Sequence, residues 1–521
     1  MAQVKHIRFF EFLLCLQLVL TLFRDINPEA VEEIGWLSVL SEMYFMSLGT
    51  FIVFLSLHLK LEGTRPVIFL ILAGQILMAI GRHFQYYYSF LTFLITICVS
   101  FSCYIFYTSH IYTFPMYQGE YNVGVKDLEI KGSKVVLFYP STERLKGKVQ
   151  WTNKEKLTEM YNVLKNSPKP INLPQIVKFW MFYIAMHFTT LIKFPGVKNG
   201  KIINSHEKMP FIIFSHGLAA HNTYFSSILG DLASKGCIVA SIQHYDYQPM
   251  RAGLQFKEWV LSMKPKFEVR QNQVTDILDH FQEKKNIQEI FPNTQIKLDL
   301  DHIVLMGHSL GGATALYSAI KNHQKVHSLI LLDPSMEPLN QEEGLQIVKD
   351  NKLNKPILII SSEWFSNTFE GMNHFENIKM FQEINKESEN QILNCYIKNT
   401  GHENFGDFGF LMPVDLGKRK MLGDKGEVTQ KKVFLNKFIE IFISEAVLSG
   451  KEFQEIDKKN IYRILAELMK SVKQENPIIP KDVTQDELDQ KTQNQQQNQQ
   501  EQNEVGQQQQ QLSEDENQVQ N

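Results

Sequence analysis

The chain is 521 residues long and 44% hydrophobic, enough for one large domain with an extension or for two domains. Lys and Arg number 53 against 56 Asp and Glu, a net charge of −3, so no global basic field argues for a nucleic-acid partner. The five cysteines cannot build a disulfide framework, and three of them (Cys15, Cys98, Cys103) lie in apolar stretches, a pattern that fits a reducing compartment.

Four apolar runs open the sequence, over residues 9–23, 36–59, 66–84 and 89–110. A helix needs about 20 apolar residues to cross a bilayer core. The second and fourth runs meet that length. The third requires Arg82 and His83 to reach toward an interface, and the first is short and carries Glu11. No small-residue cleavage site follows the first run, which argues against a signal peptide. Trp36, Tyr86, Tyr87, Tyr88 and Tyr112 suit interfacial belts. The expectation is a multi-pass membrane protein with about four transmembrane helices across residues 1–115; the alternative is a set of buried core helices. Lys5 and Arg8, then Lys60 and Arg65, then Lys126, Lys131 and Lys134 alternate with an acidic loop, which places the following domain in the cytosol.

From about Tyr121 the pattern changes. Short β-rich runs fall at 134–139, 211–215, 238–242, 303–306, 329–332, 356–361 and 391–397, with helical stretches at 269–283, 313–322 and 431–446. Most of the strands are apolar throughout, as in a parallel sheet covered on both faces by helices. Residues 116–475 are therefore read as one α/β domain with an open, mostly parallel sheet. Residues 173–194, rich in Trp, Phe, Tyr and Met, read as a core helix or an acyl-facing lid. Residues 476–521 are dominated by Gln and Asn and are expected to be a disordered tail.

The chemistry is concentrated in Gly307-His308-Ser309-Leu310-Gly311-Gly312, a G-x-S-x-G turn between an expected strand and an expected helix. Small residues on either side allow a turn tight enough to expose a serine hydroxyl at a helix N-terminus, where negative charge is favoured. A serine nucleophile needs a base, and the base an orienting acid, in the chain order Ser, acid, His. Asp333 follows the strand 329–332 directly. Of the later histidines, His323 and His327 precede that strand and stand at its wrong end. His374 and His402 remain; His402, in a glycine-flanked loop after the last strand, is the chosen base. Two backbone N–H donors are needed for the oxyanion. Leu310 supplies one, and Leu218, in the His216-Gly217-Leu218 loop after strand 211–215, the other. No HExxH, paired CxxC or EF-hand loop is present, so neither metal nor organic cofactor is expected.

These residues resemble a known family, the plasma-type (group VII) platelet-activating factor acetylhydrolases of the α/β-hydrolase fold. The similar segments are FSHGLAAHNTYFSSILGDLASKGCIVASIQHYDY, GHSLGGATAL, LLDPSMEPL and GHENFGDFGF, in the same order and at comparable spacing between about Tyr121 and Phe453. The resemblance implies calcium-independent cleavage of short or oxidised acyl chains from the sn-2 position of a phospholipid substrate. It implies the same site: Ser309, Asp333 and His402, with Leu218 and Leu310 as oxyanion donors. The chain departs from the family in two places: HGLGA is HGLAA here, and EHRD is Gln243-His244-Tyr245-Asp246. A lipase or carboxylesterase acting on neutral esters is the alternative enzyme. A non-catalytic, membrane-tethered scaffold is the alternative outside catalysis, and it would need neither a complete triad nor oxyanion donors.

Overall fold

A computed structural model describes residues 9–26, 48–57, 71–77, 94–95, 98, 114, 116–144, 148–158, 192–244, 264–292, 294–335, 355–362, 365, 392–397, 400–407, 428–445 and 478–480. The long strands are β1 (Asn122–Ile130), β2 (Ser133–Ser141), β6 (Lys208–Ser215), β7 (Ile238–Ile242), β8 (Lys297–His308), β9 (Val326–Leu332), β10 (Ile357–Ser362) and β11 (Ile392–Ile397). With the short β5 (Val197–Lys198) and β12 (Ile478–Pro480) they form one sheet, in the order β12-β11-β10-β9-β8-β6-β7-β2-β1-β5. From β7 to β11 every pairing is parallel. The β1–β2 and β2–β7 pairs are antiparallel, so the sheet is mixed. β3 (Lys148–Gln150) and β4 (Lys193–Pro195) make a separate two-stranded ladder.

The β1–β2 hairpin turns on Lys131 and Gly132, both at positive φ (46° and 80°), as a two-residue turn matching strand twist requires. The central strands are apolar throughout because alternate side chains enter different cores. Ile213, Ala240, Leu305, Leu331 and Ile359 pack on one face. Phe214, Val239, Met306, Ile330 and Ile360 pack on the other. Helices cover both faces. α4 (Lys264–Gln282), α5 (Lys284–Ile290) and α6 (Leu310–Lys321) contribute to the first core; α3 (Ser226–Ser234) and α7 (Val428–Ile443) contribute to the second. Each fully buried Leu, Ile or Phe contributes about 1.5–3 kcal/mol. The parallel strands all present their carboxyl ends, and the loops that follow, at one edge.

The N-terminal region corrects the sequence expectation. No described helix is long and apolar enough to cross a membrane, so the transmembrane bundle is not supported. α1 (Phe9–Ile26) has 18 residues but carries Glu11, Arg24 and Asp25. α2 (Leu48–Leu57) is apolar but has only 10 residues, about 15 Å of helix against a bilayer core of about 30 Å. Leu14, Leu18, Leu22, Phe51, Ile71 and Ile95 instead form a third core, separate from the two on the sheet. Most of the runs 36–59, 66–84 and 89–110 lies outside the described residues, as do His374 and residues 481–521. Residues 159–191 do as well; the end of the lid stretch is strand β4, with Phe194 buried against Phe138. Residues 478–480, at the start of the expected tail, pair antiparallel with β11.

Candidate active site

Ser309 stands between β8 and α6, at φ 54° and ψ −123°, a conformation L-residues seldom hold. The turn is closed by Ser309 N–H donating to Leu332 O (2.9 Å) and Ser335 N–H donating to Ser309 O (3.0 Å). The flanking glycines are required by contact. A Cβ on Gly307 would lie 2.0 Å from Gly311 O, and one on Gly311 would lie 2.0 Å from Ser215 O. The sequence thus folds here only with small residues two positions before and two after the serine.

Asp333 leaves the carboxyl end of β9, the neighbour of β8, also at positive φ (42°). It is fully buried, and its N–H donates to Ile360 O at 2.8 Å. Ser362, at the end of β10, donates its backbone N–H to Asp333 Oδ1 (2.6 Å) and its hydroxyl to Oδ2 (2.5 Å). His402 opens a 3-10 turn, His402–Asn404, beyond β11. Its Nδ1 donates to Asp333 Oδ2 at 3.0 Å. That bond leaves Nε2 as the accepting nitrogen of the neutral ring. Phe365 stacks on the imidazole at 4.1 Å between centroids and 14° between planes. His308, next to Ser309 in sequence, donates from Nε2 to His402 O (3.1 Å) and lies 4.4 Å away ring to ring.

The His402 turn is bolted to the rest of the domain. Gly401 N–H donates to Asn404 Oδ1, 2.7 Å, and Tyr224 donates its hydroxyl to Glu403 Oε2, 2.6 Å. Burial first, then the Glu403 carboxylate, hold the Tyr224 phenol well above its ordinary pKa. Buried Asp407 accepts from Trp151 Nε1 (3.2 Å), Ser226 Oγ (2.6 Å), Ser227 N–H (3.1 Å) and the Ser227 hydroxyl. It therefore caps the N-terminus of α3 from across the fold; Phe225, the helix's own N-cap, makes no side-chain cap bond.

Leu310 is the first residue of α6, so its N–H has no partner within the helix. The loop His216–Ala220 leaves the carboxyl end of β6 next to it: a Cβ on Gly217 would lie 3.1 Å from Ser309 Cβ. Leu218 is half-buried on this loop, and Ala219 is at φ 57°. His323 and His327 stand at the other end of β9 from Asp333, at its entry. Sequence reasoning missed Ser362, Phe365 and Asp407. Only the first had a legible signal, a hydroxyl at a strand's carboxyl end.

Ligand atoms of His308, Asp333 and His402 lie within 4.8 Å of one another, close enough by distance to hold an ion. Their hydrogen bonds point to another use. His308 Nε2 carries a proton given to a carbonyl, His402 Nδ1 carries one given to Asp333, and both Asp333 oxygens already accept. The arrangement suits proton transfer at His402 Nε2, at the same sheet edge as a strained serine that opens a helix.

A serine turn after the fifth strand of an eight-strand core ordered 1-2-4-3-5-6-7-8, with acid and histidine loops after later strands, defines an α/β-hydrolase, here a carboxylic ester hydrolase. The chain belongs to the family described as platelet-activating factor acetylhydrolase, isoform II, whose model matches residues 106–264 and 269–460. It is 30% identical to the platelet-activating factor acetylhydrolase of Canis lupus familiaris over 57% of this chain and 68% of that one. With the Cavia porcellus protein of the same name it is 27% identical over 66% and 80%. Among solved structures, a ferulic acid esterase from Streptomyces cinnamoneus matches 67% of this chain and 97% of its own, with a TM-score of 0.46 and 16% identity.

Proposed function

We propose that the protein hydrolyses short or oxidised sn-2 acyl esters of phospholipids through Ser309, His402 and Asp333, without calcium. The observation that carries the reading is the Asp333–His402 bond of 3.0 Å, set beside a serine forced to φ 54° at the ends of neighbouring strands. His402 Nε2 takes the Ser309 proton as Oγ attacks the ester carbonyl, and Asp333 steadies the imidazolium that results. The oxygen that gains charge is received by the N–H groups of Leu218 and Leu310. Collapse breaks the ester bond; the lysophospholipid leaves with the proton from His402. Water, deprotonated by the same nitrogen, then releases the acyl group as a carboxylate and restores Ser309.

The phospholipid assignment is supported by the family and by the acetylhydrolase names of the relatives. A cytosolic placement is supported by cysteine usage: Cys237 is buried and free; an N-linked glycan on the catalytic domain would overturn it. The test of substrate is a panel with purified protein in excess chelator. It compares a 2-acetyl phosphatidylcholine, a long-chain phosphatidylcholine and a long-chain triacylglycerol. The reading expects the acetyl phospholipid to turn over fastest and the chelator to have no effect. Strict calcium dependence, or preference for the triacylglycerol, would overturn it, the latter in favour of a neutral-ester lipase.

A further inference from the structure

Helix α4 places a charge where its packing calls for an apolar residue. Phe267, Val274, Ile277, Leu278 and Phe281 are the stripe it buries in the first core. Arg270 lies on the same stripe, three residues after Phe267 and four before Val274, and it is fully buried. Taking a guanidinium out of water is unfavourable unless its donors are well used. Arg270 Nη1 donates to the carbonyl of His216 at 2.8 Å. That carbonyl opens the loop carrying Leu218.

The next carbonyl along is held too. His216 Nδ1 pairs with Gly217 O at 2.7 Å, and the other ring nitrogen, Nε2, receives the backbone N–H of His244 at 3.1 Å. A backbone N–H only donates, so Nε2 is bare and Nδ1 carries the hydrogen. Gly217 C=O and Leu218 N–H belong to one peptide group. A donor on that carbonyl polarises the amide and strengthens its N–H. His244 is fixed in turn between Ser215 Oγ (2.8 Å) and Gln273 Oε1 (2.7 Å), and Gln273 lies three residues after Arg270 on α4. Burial, then the charge of Arg270, hold the His244 ring well below its ordinary pKa. The same loop is closed from the nucleophile's side, where Gly311 backs onto Ser215 O and His216 O.

We propose that Arg270 is a positioning residue for the oxyanion hole: through the His216 carbonyl it anchors the loop whose Leu218 N–H receives the negative charge that develops on the substrate. The proposal rests on the assignment of Ser309 and Leu218 made above. The buried guanidinium also supplies a fixed positive charge behind the loop, one that grows in value as charge forms in front of it.

The test compares Arg270→Met and Arg270→Lys with wild type in the full chain. The substrate is a short-chain p-nitrophenyl ester, and the probe is an alkyl trifluoromethyl ketone. Addition of Ser309 Oγ to that ketone, with the serine proton passing to His402, makes a hemiketal oxyanion held by the same donors. In Arg270→Met, kcat should fall roughly 10²-fold with KM within about threefold, and ketone affinity should fall in parallel. Arg270→Lys, which keeps charge but loses the fork, should fall between wild type and Met. A folded Met variant with kcat and ketone affinity within about twofold of wild type overturns the proposal. So does a loss of kcat with ketone affinity unchanged, the mark of a structural role alone. If the Met variant does not fold, the Lys variant decides by the same two readings, with a loss of about tenfold expected. Failure of wild type to form the Ser309 adduct would strike the assignment of the nucleophile, a result separable from either.

Discussion

At the scale of single residues, the site is built from conformations and contacts that leave little choice of side chain. Ser309, Asp333 and Ala219 all sit at positive φ. For the first two the proposed chemistry accounts for the strain. Ala219 has no such use, and it stands where the resembling family has glycine. Ala219→Gly should raise stability by about 0.5–1 kcal/mol, because left-handed backbone costs a Cβ more than the glycine loses in entropy. A lowered melting temperature would contradict this. Gly311→Ala should do the opposite. Its Cβ would lie 2.0 Å from Ser215 O, so the variant should lose at least about 3 kcal/mol or fail to fold, as read by urea melts. The triad should behave as one unit: Ser309→Ala and the double variant with His402→Ala should each lose roughly 10⁴–10⁶-fold in kcat and differ little from each other. Losses that multiply would separate the two residues.

At the scale of elements, loops at the sheet edge are tied down by buried polar groups. Asp407 caps α3 and carries the turn that holds His402. Asp407→Asn should cost about 1–3 kcal/mol and, if His402 is the proposed base, lower kcat as well, since the cap and the His402 turn share one anchor. Thermal melts and turnover on one preparation test both, and a stability loss with full turnover would uncouple them. β9 offers a pH test away from the site. His327, half-buried, packs on His302 at 4.7 Å, and burial, then the charges of His302 and Lys355, lower its pKa from 6.5 to about 4. Between those values the unfolded chain binds the proton and the folded one does not. Stability from this group is therefore whole above pH 6.5 and is lost as pH falls through about 4. The full shift corresponds to about 3 kcal/mol, reduced to about 1–2 by partial exposure. His327→Gln should flatten the acid limb of the stability curve by that amount; identical slopes would contradict it.

At the scale of the whole molecule, legibility followed burial. Most of the seven expected strands were visible because both faces are covered, so their apolar runs are continuous, and β7 was found with its bounds intact. β1 was missed because its outer half alternates charged and apolar residues, as its burial pattern does. α3 was missed because SSILGDLAS buries all its residues, serines and Asp231 included, and so shows no apolar stripe. Arg270 was hidden for the converse reason, a charge on a buried stripe that reads as solvent-facing. Hydropathy misled at the N-terminus, where it counts composition rather than the charges within α1 or the length of α2.

The elbow, the acid and the histidine turn meet only because three parallel strands end at one edge, and the account depends most on Ser309 being the nucleophile there. The direct measurement is the site of covalent attachment of a serine-directed organophosphate, read by peptide mass spectrometry while residual esterase activity is followed. The account predicts one adduct per chain, on the peptide containing Ser309, growing in step with the loss of activity and absent from Ser309→Ala. Inactivation without an adduct on Ser309, or full turnover in a completely labelled protein, would contradict it.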